Sequence, residues 1–272
     1  MLGNSPRIAA LSIVTVLAAL LLTSCSGTVA AKAGSPDFYW SAAKQNYAAG
    51  DYLGTVEQLD HLVDNRSEYT ARAIPWSLVL TSGLAAGYIE LADDYARGAR
   101  LNSANAAALR RKATEYRNLA NPLVLQAARL AEKLDQLPPG SISLTFGRPR
   151  GNLAQSPVLY KIAAGMRITD AEAESAPAAA LERNVLLSAC LAVGAPNDSA
   201  KASEILSHAS TITPRATFAG AMGEMLEKAA ALYDRRGLDL PDKLAMVQDR
   251  AKSLRTAAEQ VGPAMVVKVS GR

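Results

Sequence analysis

The chain of 272 residues carries 29 basic and 25 acidic side chains, which gives a formal net charge of +4. This balance and an aromatic content of 5% argue against a nucleic-acid-binding protein, which needs a concentrated basic face and stacking aromatics. His61 and His208 are isolated and the two cysteines are far apart, so we expect neither a metal site nor a cofactor.

The N-terminal segment has the pattern of a secretory signal. Arg7 and the amino terminus precede an uncharged stretch of fifteen residues, Ile8 to Leu22, which is short of the ~20 residues that a membrane helix needs. A retained membrane anchor is the alternative. Leu22-Thr23-Ser24-Cys25 closes this stretch and resembles the lipobox of bacterial lipoproteins. The resemblance implies cleavage after residue 24, a diacylglycerol thioether on Cys25 and attachment to the membrane.

The resemblance also implies a location. In lipoproteins of two-membrane bacteria, a serine after the lipidated cysteine, here Ser26, indicates sorting to the outer membrane, with the protein facing the periplasm. The residues that follow are small and mixed, as in a flexible tether. We therefore divide the chain into a signal peptide (1–24), lipidated cysteine and tether (25–35), first helical half (36–137), linker or short strand (138–155), second helical half (156–261) and C-terminal tail (262–272).

The first segment after the tether has a repeat-like pattern. From Tyr39 to Leu62, an aromatic residue, small residues and Gly50-Asp51-Tyr52 occur at the spacing of a tetratricopeptide repeat, which this segment resembles. The resemblance implies two antiparallel helices joined at the Gly-Asp-Tyr turn. A weaker copy runs from Trp76 through Gly87-Tyr88 to Ala99. A chance match by alanine-rich helices is the alternative for both copies.

Helix starts and ends are marked along the whole chain. Ser35-Pro36, Asn121-Pro122, Ser156-Pro157 and Thr213-Pro214 each place a capping side chain before a proline, the arrangement typical of a helix N-terminus. Thr169 to Glu172 has the capping-box pattern, and Gly194 and Gly237 are candidate C-caps. Beyond the repeats, alanine-rich stretches with leucine at helical spacing predict helices near 104–120, 122–136, 157–167, 177–193, 199–209, 214–236 and 241–261.

One segment interrupts the helical pattern. Ile142, Leu144 and Phe146 alternate with polar residues, the period of a strand, and Met265–Val269 is a candidate partner. We favour the simpler interpretation, an ordered linker and a frayed tail. The predicted fold class is therefore all-α, a TPR-like α-solenoid of helical hairpins with an irregular or strand-like interruption near 138–151. We expect Arg148 and Arg150 in this interruption to be solvated loop charges, with the binding of an anion as the alternative.

No catalytic motif is complete. Ser41 and Lys44 have the Ser-x-x-Lys spacing of penicillin-binding enzymes, but the other two elements of that family are missing. Glu174-Ser175 is similar to the acid-bearing dipeptide of lytic transglycosylases, without the surrounding motif. Cys190 lies in an apolar stretch that predicts a small buried residue. We predict that the protein is not an enzyme and has no catalytic residues.

The repeat and the lipobox together predict a lipid-anchored adaptor for an envelope protein or peptide. In tetratricopeptide folds the first helix of each pair lines the concave binding surface, and the resemblance assigns to that surface Trp40, Lys44, Tyr47, Ser77, Thr81 and Leu84. The first repeat is also similar to those of the lipoprotein in the outer-membrane β-barrel assembly machinery and of lipoproteins that accompany TRAP-type transporters. An inter-helix core is the alternative role of these aromatic residues.

A second function class stays open. It comprises a small-molecule-binding accessory lipoprotein of a transport system and a diverged envelope hydrolase. Either would have a pocket between the two helical halves near Ile142–Gly151.

Overall fold

The computed structural model describes residues 31–196, 198–207 and 211–260. The signal segment, Cys25, His208 and the possible strand Met265–Val269 lie outside these residues. Within them the chain is mostly helical, as predicted, with nine α-helices, two short 3-10 turns and one two-stranded sheet. The helices are α1 (Pro36–Ala49), α2 (Tyr52–Asp64), α3 (Thr70–Leu101), α4 (Ala106–Asp135), α5 (Pro157–Ala163), α6 (Asp170–Ala192), α7 (Ser199–Leu206), α8 (Arg215–Ala230) and α9 (Pro241–Gln260). The strands are β1 (Ile142–Leu144) and β2 (Thr211–Thr213).

Several predicted helix ends are confirmed. Ser35 caps α1 by accepting a hydrogen bond from the Phe38 amide at 3.2 Å. Both hydrogen bonds of the capping box at the start of α6 are present, at 3.2 Å from the Glu172 amide to Thr169 and at 2.9 Å in the other direction. Gly194, with φ of 72°, follows the end of α6. These sites depend on local sequence alone, which explains why their pattern is sufficient to find them.

Other predicted boundaries are wrong. Asn121-Pro122 does not start a helix, because α4 continues through Pro122. The Asn121 Oδ1 atom instead accepts a hydrogen bond at 3.0 Å from the hydroxyl of Tyr233, in a part of the chain remote in sequence. At Thr213-Pro214 the helix start is confirmed to within one residue, since α8 begins at Arg215, but Thr213 belongs to β2 and does not cap the helix. Gly237 is likewise no helix C-cap, since the helical turns before it end at Tyr233.

The first predicted hairpin is present and the second is not. α1 and α2 are joined at Gly50, which has φ of 83°, and the Asp51 side chain caps α2 by accepting a bond from the Gly54 amide at 2.9 Å. The second copy fails because α3 runs unbroken through Gly87-Tyr88. Its glycines serve a packing contact rather than a turn.

That packing contact joins α3 to α6. A β-carbon at Gly83 would lie 2.6 Å from the Cα atom of Val185, and one at Gly87 would lie 3.0 Å from the carbonyl oxygen of Ala180. Distances this short leave no room for a side chain, so the two helix backbones touch. The buried side chains of both predicted halves form one continuous cluster, with Cys190 fully buried within it.

The interruption contains a strand, contrary to the favoured linker interpretation. β1 pairs antiparallel with β2, and Ser143 lies opposite Ile212. The partner is therefore a segment between α7 and α8. Two inward residues, Ile142 and Leu144, are nearly fully buried, which gives the strand its stabilising contacts.

By length and composition alone, α3 is also apolar enough to cross a membrane. However, 83% of its most apolar window is buried inside the protein. This burial is what a core helix of a soluble domain shows, so we assign α3 to the core.

We predict that Gly83→Ala destabilises the protein although alanine favours helices. The new methyl group meets the α6 backbone, and overpacking of this kind costs about 1–3 kcal/mol, more than the ~1 kcal/mol gained in helix propensity. Gly220→Ala is the matched control, because a β-carbon there has as its near neighbour the Ala258 methyl, at 3.6 Å. Urea unfolding should show a loss for the first variant and a gain for the second. Equal gains in both would refute the close contact.

Candidate functional site

The residues that the repeat pattern assigned to a binding surface lie mostly in the core. Lys44 is exposed on α1. The other five are buried, with exposed fractions of 9% for Trp40, 8% for Tyr47, 0% for Ser77 and Thr81, and 1% for Leu84. This placement favours the core interpretation of these side chains over an aromatic wall facing a partner.

The segment after β1 covers the inner face of α1. The Phe146 ring packs at centroid distances of 5.2 Å from Trp40, 5.1 Å from Tyr47 and 5.1 Å from Trp76. The Tyr47 hydroxyl donates a hydrogen bond to the Gly147 carbonyl at 2.5 Å. The repeat spacing could not reveal that this face of α1 is covered, because the residues that cover it lie about 100 positions away in the chain.

The arginines of the same segment are engaged by the protein itself. Arg148 donates to the Gly151 carbonyl at 3.1 Å, and Arg150 donates to the Ala49 carbonyl at 2.9 Å. Carbonyl groups at the end of α1 carry partial negative charge, which a guanidinium group compensates. Both arginines therefore have structural roles at the point where the sequence suggested an anion site or pocket.

A cleft of about 370 Å³ lies instead between α3, α6 and α8. Clefts of roughly 300–1,000 Å³ are typical of small-molecule sites. Its lining combines apolar walls with a few charged and amide side chains: Ala86, Ile89, Glu90, Asp93, Asp94, Arg97, Gln155, Asn184, Leu187, Leu191, Met225, Lys228 and Ala229.

Asp94 is the exceptional side chain of this cleft. It is 3% exposed, and no described residue hydrogen-bonds to its buried Oδ2 atom. Burial, followed by the nearby carboxylate of Glu90, raises the pKa of Asp94 to about 6 from its ordinary value of 3.8. A buried charged carboxylate without a partner costs several kcal/mol, so Asp94 destabilises the folded protein unless a further group donates to it.

Glu90, one turn earlier on α3, has the opposite environment. Its two oxygens accept hydrogen bonds from the Arg183 guanidinium at 2.9 and 3.0 Å, and Oε2 also accepts one from the Asn184 amide at 2.5 Å. Arg183 is itself held by the carbonyl of Leu153 at 2.9 Å. The α3–α6 contact thus supplies Glu90 with donors and leaves Asp94 facing the cleft.

The mouth of the cleft is polar and its walls are apolar. Asp93, Arg97, Gln155 and Lys228 are exposed at the mouth. Lys228 pairs with Glu224 on the same helix at 2.6 Å. Inside, Ile89, Leu187, Leu191, Met225 and Ala229 contribute hydrocarbon surface. The arrangement fits a molecule with an apolar body and one polar end.

The sequence did contain a signal of this site. Glu90, Asp93 and Asp94 are three acidic residues within five positions of a long helix, and they directly follow its most apolar stretch. An acidic side chain on a core helix is costly unless it is paired or binds a ligand, so such a cluster on a buried helix is a signal of a site. Their burial, however, depends on α6 and α8, which sequence spacing does not place.

Comparisons of the chain with protein-family models, curated proteins and solved structures gave no match. In residues 31–196, 198–207 and 211–260 there is also no group of three His, Cys, Asp or Glu side chains that could hold a metal ion. The described residues thus show a mostly α-helical protein with one two-stranded sheet.

We predict that Asp94→Asn stabilises the protein increasingly as the pH rises from about 4 to 7. In the folded wild type Asp94 keeps its proton to about pH 6, while the unfolded chain loses it near 3.8. Folded-state stability therefore falls as pH rises through this window, by roughly 3 kcal/mol in total, and the neutral amide avoids this loss.

Urea unfolding at pH 4.5 and pH 7.5 measures the effect. The difference between variant and wild type should be small at the lower pH and should favour the variant at the higher one. Asp249→Asn, at an exposed position in the middle of α9, provides the same change of charge outside the cleft and is the control for the loss of one carboxylate. A pH-independent difference for Asp94→Asn would contradict the burial of its charge.

Proposed function

We propose that the protein is a lipid-anchored, non-catalytic binding protein of the cell envelope whose cleft between α3, α6 and α8 holds a small molecule. The observation that carries the proposal is Asp94, a buried carboxylate whose Oδ2 atom no described residue satisfies, within a cleft with apolar walls. Such a combination is typical of a site that binds one polar group and a hydrocarbon body.

Binding is better supported than catalysis. The described residues that line the cleft include no serine, threonine, cysteine, histidine or tyrosine. Nucleophilic catalysis and proton transfer rely mostly on those side chains or on a pair of free carboxylates. Glu90 is committed to Arg183 and Asn184, so it does not form such a pair with Asp94. The other titratable side chains of the lining lie at the mouth, where Asp93 is exposed and Lys228 is paired with Glu224.

The adaptor hypothesis has weaker support. The side chains that it assigned to a partner are buried, apart from Lys44, and the second repeat copy is one continuous helix. We keep the tetratricopeptide-like assignment for the α1–α2 hairpin alone. A partner protein that receives the small molecule or senses its presence is compatible with our proposal.

The anchor rests on the lipobox. α1 begins eleven residues after Cys25, a length that spans at most ~40 Å when fully extended. Two or three acyl chains anchor a soluble domain durably, because each buried CH₂ contributes about 0.8 kcal/mol. The tether would then keep the start of α1 within this distance of the membrane surface, on the outer membrane facing the periplasm.

We predict that Cys25→Ala abolishes metabolic labelling with palmitate. Without the thiol, no thioether forms, and the protein should be found uncleaved or in the soluble fraction. The matched control is Cys190→Ala, which removes a buried thiol and should leave labelling intact. Labelling of the Cys25 variant at the wild-type level would end the lipoprotein assignment.

We predict that Ala86→Leu blocks small-molecule binding. Ala86 is half-buried at the wall of the cleft, so a larger side chain can extend into the space without entering the core. Ligand-detected NMR with a library of small organic fragments should show hits on the wild type that the variant loses. Ala108→Leu, at an exposed position on α4, should keep them. Hits that survive in Ala86→Leu would place binding elsewhere.

A further inference from the structure

We infer that the ligand of this cleft is a small primary ammonium compound with an apolar body, and that its charged nitrogen lies against Asp94. This inference rests on the proposed function, since it names the ligand class for the same cleft. It follows from the donors that Asp94 lacks, from the charges around it and from the character of the walls.

Asp94 requires both a hydrogen-bond donor and a positive charge. An ionised carboxylate only accepts hydrogen bonds, and the Oδ2 atom of Asp94 receives none from the described residues. A neutral donor would satisfy the hydrogen bond but would leave the buried charge uncompensated. A primary ammonium group offers three donors together with the opposite charge, so it compensates both deficits.

The cations near Asp94 are bound to other groups or exposed to solvent. Arg183 is bound to Glu90 and to the Leu153 carbonyl, and Lys228 is paired with Glu224. Arg97, one turn beyond Asp94, is exposed at the mouth, where solvent screens its charge. These cations reduce the negative potential at Asp94 without providing a direct partner.

Anions and molecules with several charges fit the cleft poorly. An anion entering the cleft would approach the carboxylates of Asp94 and Asp93, which lie on the same face of α3 as the Arg183-compensated Glu90. A molecule with several charges would have to place some of them against Ile89, Leu187 and Leu191, at a large desolvation cost. The remaining class is a monocation with a hydrocarbon body.

The experiment compares three probes of equal chain length on the full-length lipidated protein in nanodiscs. The probes are hexylammonium, hexan-1-ol and hexanoate at pH 8, with empty nanodiscs as the partition blank and binding followed by ligand-detected NMR. A charge-assisted hydrogen bond contributes more than a neutral one, so we expect hexylammonium to bind about tenfold or more tightly than hexan-1-ol. Hexanoate should bind most weakly.

Asp94→Asn supplies the second arm. It should lower the affinity for hexylammonium to that of hexan-1-ol, whereas Asp249→Asn should leave the preference unchanged. The comparison of probes on the wild type stands even if the Asp94 variant fails to fold. Equal affinity for hexylammonium and hexan-1-ol would overturn the inference, as would a preference that persists in Asp94→Asn.

The outcomes also separate this inference from the proposed function. If all three probes bind equally and Ala86→Leu blocks them, the cleft binds small molecules and the ammonium assignment fails. If no probe binding responds to Ala86→Leu, both fail. A lysine side chain presents the same ammonium group, so a terminally blocked Ala-Lys-Ala peptide runs in parallel. Tighter binding of that peptide than of hexylammonium would overturn the assignment to a small molecule.

Discussion

The contact between the backbones of α3 and α6 determines most of this structure. Gly83 and Gly87 carry no side chain that would keep the α6 backbone away from α3. The Ser188 hydroxyl donates a hydrogen bond at 2.7 Å to the Val79 carbonyl. This contact brings Asn184 and its neighbour Arg183 beside α3 at the next turn. Because the helices touch at the glycines, Glu90, which follows along α3, has fixed partners on α6.

The cleft is a consequence of the same arrangement. Beyond Glu90, whose charge Arg183 compensates, the space between α3 and α6 is bordered by α8, and Asp94, whose buried Oδ2 atom receives no hydrogen bond from the described residues, lines it. A protein selected for stability alone gains by replacing such a carboxylate with an apolar residue. Retaining it makes sense if a bound cation recovers the lost free energy.

Local sequence predicted the features that need only local partners. The cap at Ser35, the capping box at Thr169 and the turn at Gly50 involve residues a few positions apart, and each is present. Alternation at 142–146 also indicated a strand, though its partner β2 could not be found because the pairing is long-range. The predicted helix start at Asn121 was wrong because its side chain accepts a hydrogen bond from Tyr233, 112 residues away, and does not cap a helix.

The site needed tertiary information for the same reason. Gly87 matched a turn consensus, but a glycine inside a helix can equally allow a close helix contact, and only the position of α6 decides between them. Trp40 and Tyr47 share one face of α1, as the repeat requires, yet Phe146 covers that face. The acidic residues of α3 were visible in sequence, while the burial that distinguishes Asp94 from Asp93 was not.

Methyl NMR of the protein labelled on its methionines tests directly whether the cleft binds a small molecule. Met225 lines the cleft, whereas Met166 and Met246 are exposed elsewhere. On titration with a low-molecular-weight extract of the producing cells, binding in the cleft predicts a saturable shift of the Met225 methyl resonance, with those of Met166 and Met246 unchanged. A Met225 resonance that stays in place throughout the titration, or shifts confined to the exposed methionines, would contradict it.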